Sequence, residues 1–252
     1  MSDYYQSFQG IVIANRPHRE NDAIVKIFTE KFGKKSFFIR NSMASNSVLT
    51  NALTPLVCSV YLGHINQSGL SFLKDSDVLK SFLKIRSDPF LQAHATYYLA
   101  LTDAAFEDNV PQDDFYSFLK ESLIKLNSGY NADIVRLQFE LFSLRLFGVA
   151  PDWNHSQISH KETADKRLNF TLNPPGVILS DEAQNMTVLP VSSKAIHLCR
   201  LLANIRPNQL GKLDINPVTV KDALKLLSVF YNDYIGLSLK SRKYLEKMSD
   251  WF

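Results

Sequence analysis

The chain has 252 residues, of which 45% are hydrophobic and 21% are charged, a composition typical of a globular protein and not of a fibrous or low-complexity one. Its formal net charge of +3 is too small to indicate a nucleic-acid partner by itself. Residues 1–80 carry 9 basic and 6 acidic side chains, residues 81–160 carry 6 and 10, and residues 161–252 carry 13 and 9. Any anion-binding surface is therefore expected outside the acidic middle segment.

The first 40 residues predict an antiparallel meander. Three runs rich in Ile, Val and Phe alternate in the way that half-buried strands do. They occupy residues 10–13, 23–30 and 33–40. In the third run Phe37 and Ile39 share one face, so Phe38 and Arg40 point to the opposite face.

Two more strands complete the predicted barrel. Residues 41–47 lack periodicity and indicate a loop. A long strand is predicted over residues 52–65, and a fifth strand is predicted over residues 70–73. The side chains expected on one face of the long strand are Leu56, Cys58, Val60 and Leu62. Five short strands within the first 80 residues are typical of the partly open barrel called the OB-fold.

Helical spacing replaces strand alternation from residue 81 onward. Asp88 followed by Pro89 indicates a helix start, because an N-cap acceptor precedes Pro at the first helical position. Apolar residues at spacings of three and four continue this helix to Phe106. Further helices are predicted from Asp113 or Asp114, from Asn131 to Gly148, over Ser193–Ala203 and from Pro217.

An irregular insertion is predicted at about residues 149–191, where several prolines interrupt the helical pattern. It includes a short hairpin around residues 170–172 and 177–179. The fold class is therefore α+β. We expect an N-terminal five-stranded OB-fold barrel over residues 1–80, followed by an all-helical domain with this insertion over residues 81–252.

The sequence contains no enzyme signature with the correct spacing. Gly33-Lys34-Lys35-Ser36 lacks the upstream Gly of a phosphate-binding loop and the Ser or Thr directly after its Lys. No Gly-x-Ser-x-Gly nucleophile elbow is present. His155 and His160 lack the further ligands of a metal site. The sequence therefore predicts a binding protein and not an enzyme.

The cysteines and the apolar runs indicate the cellular compartment of the protein. Cys58 and Cys199 are too far apart in sequence for a local metal-binding knuckle, and we expect two buried, reduced thiols in a cytoplasmic protein. No stretch has the pattern of a signal peptide. No apolar run approaches the roughly 20 residues that span a bilayer, so no membrane partner is expected.

Cations concentrate in the predicted barrel. Residues 8–40 contain seven Lys or Arg and three Asp or Glu. A small barrel with cations on its loops and an aromatic ring on its open face can bind single-stranded nucleic acid, because the cations contact phosphates and the ring stacks on a base. These residues alone favour the alternative, which is a solvated surface without a ligand.

Three motifs follow one another along the chain. The first is Gly10-Ile11-Val12-Ile13 with Arg16, Glu20, Ile27-Phe28-Thr29-Glu30 and Gly33; the second is Phe139-Glu140-Leu141 with Phe147-Gly148-Val149-Ala150-Pro151; the third is Leu239-Lys240-Ser241-Arg242 with Tyr244-Leu245. Taken in order, they resemble the bacterial recombination mediator family RecO. The resemblance implies an OB barrel followed by a helical domain, without catalytic residues.

The resemblance also implies a function in DNA repair and homologous recombination. Such a mediator binds single-stranded DNA, anneals complementary strands and helps to load the recombinase RecA onto strands coated by the single-stranded-DNA-binding protein SSB. The implied partners are single-stranded DNA, the acidic C-terminal tail of SSB, RecR and, indirectly, RecA, in the cytoplasm at the nucleoid. The alternative is an OB-fold protein–protein adaptor without direct DNA binding, because both functions use the same fold.

The candidate DNA-binding residues are cations from both ends of the chain and one aromatic ring. They are Arg16, Arg19, Lys34, Lys35, Phe38, Arg40, Lys240, Arg242 and Lys243. Phe38 is the stacking candidate because its neighbours Phe37 and Ile39 occupy the inward face. The alternative packs Phe38 under the helical domain.

The resemblance places a pocket for the SSB tail near the helix that contains Phe139-Glu140-Leu141. The candidate partner-binding residues are Arg136, Leu137 and Leu141. The alternative for Arg136 is an intramolecular pair with Glu140, four residues further along the helix.

Many members of the family hold zinc with two Cys-x-x-Cys pairs. The corresponding stretches here, residues 152–158 and 175–182, contain no cysteine. We therefore expect no metal and no cofactor.

Overall fold

The structure is a computed structural model that describes residues 5–19, 21–40 and 49–249, with Ser249 described by its backbone only. Glu20 and the predicted loop over residues 41–47 lie outside the described residues. The chain forms two compact units. The first combines residues 1–128 with residues 239–252, and the second is Gly129–Ser238.

Five strands close a barrel in the first unit. They are β1 (Gln6–His18), β2 (Asp22–Thr29), β3 (Gly33–Ile39), β4 (Cys58–His64) and β5 (Ser71–Lys80). Their order around the barrel is β1-β2-β3-β5-β4, and neighbouring strands are antiparallel except for β3 and β5, which run parallel. The predicted OB-fold is confirmed.

The barrel core follows from strand alternation. Val25 and Ile27 of β2 face inward beside Phe37 and Ile39 of β3, and all four are buried. Burying an aliphatic or Phe side chain of this kind contributes about 1.5–3 kcal/mol relative to leaving it exposed. The inward direction predicted for Phe37 and Ile39 is confirmed, and Phe38 therefore lies on the outer face.

The fourth strand differs from its prediction. Residues Asn51–Leu53 form a 3-10 turn, and the strand begins only at Cys58. Tyr61 faces the barrel core and donates a hydrogen bond to the carbonyl oxygen of Ala52 at 2.7 Å. Cys58, Val60 and Leu62 share one face, as predicted, and it is the outer face of the barrel, whereas Leu56 precedes the strand. On that face the Sγ of Cys58 is 3.7 Å from the hydroxyl of Tyr116.

Five of the described helices begin at their predicted starts, and the first and the last were not predicted. The helices are α1 (Leu83–Ser87), α2 (Pro89–Ala105), α3 (Asp113–Asn127), α4 (Ala132–Leu146), α5 (Ser193–Ala203), α6 (Pro217–Phe230) and α7 (Lys240–Ser249). The Asp88 carboxylate accepts hydrogen bonds from the backbone N–H groups of Phe90 and Leu91, as an N-cap does. Asn131 caps α4 in the same way. None of the described helices is long and apolar enough to cross a membrane.

The second unit contains the predicted irregular insertion and its hairpin. The hairpin strands are β6 (Leu168–Leu172) and β7 (Pro175–Leu179). Phe170 of β6 packs its ring against Trp153 and against Phe230 of α6. The hairpin is thereby fixed to the helical core of this unit. In the first unit, α7 packs along α2, so the first unit is built from two separate stretches of chain.

Candidate nucleic-acid interface

One half of the outer face of β2 and β3 is covered by the helices of the first unit. Phe28 of β2 lies 5.7 Å from Phe106 and 6.1 Å from Phe115, measured between ring centroids. The backbone after α2 lies directly on the start of β3. A Cβ at Gly33, where φ is +66°, would be 2.0 Å from the carbonyl oxygen of Val110. We call this region the covered half.

Lys34 belongs to the covered half. Its side chain is 5% exposed, and its Nζ lies 3.2 Å from Asp103 Oδ1 and 3.3 Å from Asp108 Oδ1. Lys26 of β2 reaches the same Asp103 oxygen at 2.9 Å. Burial raises the pKa of Asp103, but hydrogen bonds from Lys26 and Lys34 outweigh it and hold the pKa below its usual value. These contacts join the barrel to α2.

Lys35 points to the other side of β3 and is also buried. Its Nζ donates a hydrogen bond to the carbonyl oxygen of Asn66 at 2.6 Å. Burial lowers the pKa of the Lys35 ammonium, and the charge of Asp108 opposes this shift. Lys34 and Lys35 were predicted to bind DNA. The structure places both in β3, with their ammonium groups bound to protein oxygens.

The other half of this outer face carries aromatic rings, and we call it the open half. Strand register aligns Arg16 with Ile24, Ile24 with Phe38, and Phe38 with Phe72. The Phe38 ring is half-buried, with ring neighbours His18 at 6.0 Å and Phe72 at 6.4 Å, both edge-to-face. Phe72 is 45% exposed. The rings beside Phe38 thus belong to barrel strands.

Exposed cations neighbour this ring cluster in sequence and in strand register. Arg16 and Arg19 are exposed in β1 and in the turn that follows it, and Arg40 is exposed two residues after Phe38. Lys74, two residues after Phe72, is exposed and places its Nζ 4.7 Å from the ring centroid of Tyr5. The open half therefore presents aromatic rings within a cationic border, a combination suited to nucleotides.

Comparison with known proteins identifies the family. The family models described as Recombination protein O N terminal and Recombination protein O C terminal match residues 1–82 and 86–243. A DNA repair protein RecO from Enterococcus faecalis is 32% identical over 247 residues, which cover 96% of this chain and 92% of the relative. The chain belongs to the RecO family. Its function therefore lies in DNA repair and recombination.

Two further relatives agree with this assignment. The DNA repair protein RecO of Lactococcus lactis subsp. lactis is 32% identical over 96% of each chain. That of Streptococcus sanguinis is 30% identical over 96% of this chain and 93% of the relative. The RecO resemblance inferred from three sequence motifs is thereby confirmed. RecO is a family of repair mediators and not a known enzyme family.

The RecO tail motif lies on α7. Lys240 and Lys243 are exposed there, whereas Arg242 is 3% exposed, with its Nε 3.5 Å from Glu246 Oε1. Because α7 packs along α2, these residues lie on the helical layer of the first unit and not on the strands that carry Phe38. The structure therefore separates the predicted DNA-binding residues into barrel and α7 groups.

The central RecO motif lies on α4, which is buried in the second unit. Arg136 is 2% exposed, and Leu137 and Leu141 are completely covered or nearly so. Arg136 Nε lies 2.9 Å from Glu140 Oε1. Tyr231 donates its hydroxyl hydrogen to the carbonyl oxygen of Glu140 at 3.1 Å. The intramolecular pair that sequence analysis left open for Arg136 is present.

The two stretches that lack the zinc-binding cysteines expected from the resemblance, residues 152–158 and 175–182, are joined by hydrogen bonds. Ser156 donates its hydroxyl hydrogen to Glu182 Oε2 at 2.5 Å, and the N–H of Gln157 donates to the carbonyl oxygen of Val177 at 2.7 Å. His155 Nδ1 lies 2.9 Å from Asp152 Oδ2. Within the part of the chain that the structure describes, no group of three or more His, Cys, Asp or Glu is placed to hold a metal ion. Both cysteines are buried with free thiols, as predicted.

Phe72, His18 and Lys74 were not among the predicted site residues. Phe72 lay in the predicted fifth strand, but its role depends on the parallel pairing of β3 with β5. The OB-fold strand order would have placed the fifth strand beside the third, but the register that aligns Phe72 with Phe38 comes from the structure. His18 was assigned to a connection between strands. In the structure it belongs to β1, which extends five residues beyond the predicted run.

Proposed function

We propose that the open half of the barrel binds single-stranded DNA. Arg16, Arg19 and Arg40 contact phosphates, and Phe38 stacks on a base. The observation that supports this assignment is the ring cluster of Phe38 within a border of exposed cations. Lys34 and Lys35 are left out of this surface because their ammonium groups already bind protein oxygens.

In this proposal the protein is a non-enzymatic recombination mediator without a cofactor. It anneals complementary strands and assists RecA loading on SSB-coated DNA together with RecR, in the cytoplasm at the nucleoid. Family membership supports these roles. Lys240 and Lys243 form a second exposed basic group that can contact DNA from α7. We do not place the SSB tail on Arg136, Leu137 and Leu141, because their burial leaves no exposed pocket among them.

Binding of a labelled single strand at a series of salt concentrations tests the proposal. Each phosphate contact on a single strand adds about 0.7 to the negative slope of log affinity against log salt. Three arginines therefore predict a contribution of about −2 to that slope. Lys212→Gln, which removes an exposed lysine of the second unit, is the matched control and should leave the slope unchanged. No measurable binding at low salt would favour the adaptor alternative.

A further inference from the structure

Phe72 is a large apolar side chain left in water beside a ring that is only half-buried. It is 45% exposed although its neighbour in register is Phe38. The pairing of β3 with β5 is limited to Phe37 with Ser71 and Phe38 with Phe72. The two Phe rings therefore meet on the open half of the barrel, where β3 and β5 are joined by only two residue pairs.

We propose that Phe38 and Phe72 form a two-ring platform that stacks two bases of the bound strand, with His18 supporting the Phe38 ring. The proposal rests on the function given above and deepens it, because it makes affinity depend on the bases as well as on the phosphates. Phe72 is the new binding residue. The ligand is an unpaired, base-bearing strand of DNA.

Ring geometry leaves stacking surfaces free. His18 and Phe72 meet Phe38 at interplanar angles of 82° and 80°. An edge-to-face contact uses the face of only one of its two rings. Two such contacts among three rings occupy two of the six faces, so the remaining faces are not used by the cluster itself.

Ring spacing suits neighbouring bases. The centroids of Phe38 and Phe72 are 6.4 Å apart. Consecutive bases are about 3.4 Å apart along a stacked strand and farther apart when the strand is extended. Two rings at this separation therefore match adjacent bases of an extended strand, one base to each ring.

Exposed cations at the two ends of the row of rings indicate the path of the phosphate backbone. Arg16 stands at the β1 end of the row that runs through Ile24 and Phe38 to Phe72, and exposed Lys74 follows Phe72 on β5. Cations at both ends favour a phosphate backbone that crosses the strands. Among the described residues, the nearby carboxylates are Asp22, which is opposite His18, and Asp75 and Asp77, which are exposed further along β5. Repulsion between these carboxylates and phosphates would keep the bound backbone along the row of rings.

The test compares a thymidine oligonucleotide with a strand of equal length in which the central nucleotides are abasic. Both strands carry the same phosphates, so only stacking distinguishes them. Stacking of about 1–3 kcal/mol per base corresponds to roughly 5- to 150-fold in affinity. The full-length chain should bind the thymidine strand more tightly by at least this factor. Phe72→Ala should reduce the difference by one such factor, because Phe38 still stacks its own base, without changing affinity for the abasic strand or the salt slope.

Two further variants keep the result interpretable. Phe72→Leu retains apolar packing but removes the ring, so it should behave like Phe72→Ala even if the alanine variant is poorly folded. Leu83→Ala truncates a side chain that is 71% exposed outside the ring cluster, and it should change neither affinity.

Three outcomes separate the inferences. Equal, salt-dependent binding of both strands by the unaltered chain would overturn the platform and leave the proposed function intact. A base-dependent difference that is undiminished in both Phe72 variants would also overturn it, because the second stacking ring would lie elsewhere. Absence of binding to either strand would overturn the proposed function, and the platform with it.

Discussion

Strand β3 carries Lys34 and Phe38 on the same outer face, four residues apart, yet the two ends of that face differ in surroundings. At Lys34 the face is covered, and the ammonium group lies against Asp103 and Asp108. At Phe38 the face is open, and Arg40 just beyond it is exposed. The role of a cation on this barrel is therefore decided by what packs over it. A basic residue under a helix joins two elements, whereas a basic residue in water can attract phosphate.

The second unit also contains both a buried and an exposed cation. Removing the buried one should have the largest effect on the free energy of unfolding. Arg136→Ala would leave the Glu140 carboxylate buried without its guanidinium partner. Breaking a buried ion pair in this way costs about 3–5 kcal/mol. Urea denaturation should show this loss in the free energy of unfolding. Lys221→Ala, at an exposed position of α6, is the control and should change stability by less than about 0.5 kcal/mol. A similarly small loss for Arg136→Ala would mean that the pair with Glu140 does not hold this unit together.

Lys34→Met should have the next largest effect on stability. It removes the ammonium group that lies between Asp103 and Asp108, while Lys26 still pairs with Asp103. We expect a loss of about 0.5–1.5 kcal/mol, the usual net contribution of a hydrogen bond, because Asp103 keeps Lys26 and Asp108 is half exposed. The salt slope of DNA binding should stay unchanged. Lys31→Met, at an exposed neighbouring position, should leave stability nearly unaltered. A reduced salt slope in Lys34→Met would return this residue to the DNA surface.

Arg16→Gln combined with Arg40→Gln should show the reverse pattern. Removing two phosphate contacts should flatten the salt slope by about 1.4, at about 0.7 per contact. Stability should change by less than about 0.5 kcal/mol, because both side chains are exposed. Thermal denaturation and a salt titration on the same preparation measure both quantities. Loss of stability with an unchanged slope would erase the distinction between the covered and the open half.

Acid should weaken the covered half slightly. The pKa of Asp103 is held below its usual value in the folded protein, so its contribution to stability is present above the ordinary pKa of about 3.9. That contribution is lost as pH falls through the lower folded value. The stability difference between the unaltered chain and Asp103→Asn should therefore shrink below about pH 4. We expect it to be under about 1 kcal/mol even at neutral pH, because Asp103 is partly exposed. A difference that grows on acidification would contradict this sign.

Local patterns predicted much of this molecule. Alternation placed Phe37 inward and Phe38 outward, and capping residues such as Asp88 marked the helix starts. The Arg136–Glu140 pair was one of two predicted alternatives, because its partners are one helical turn apart. Each of these features depends on residues close together in sequence.

Features that depend on distant partners were not predictable in the same way. The burial of Lys34 requires Asp103, which is 69 residues away in sequence. The meeting of Phe38 and Phe72 requires the parallel seam between β3 and β5. A basic side chain in a strand looks the same in the sequence whether a helix covers it or not. Predicting the site therefore required knowing which half of the barrel the helices occupy.

The position of α7 has a consequence for synthesis of the chain on the ribosome. The surface of α2 that α7 covers belongs to the first unit, but the 110 residues of Gly129–Ser238 separate the two stretches of that unit. At about 5–20 residues per second, translation of this interval takes roughly 5–20 s. During that time the barrel and α2 exist without α7. Leu245 and Met248 of α7 are buried in the finished protein, but they have not yet been synthesised at this stage. Until α7 emerges, the nascent chain therefore presents an apolar strip to chaperones and to neighbouring nascent chains.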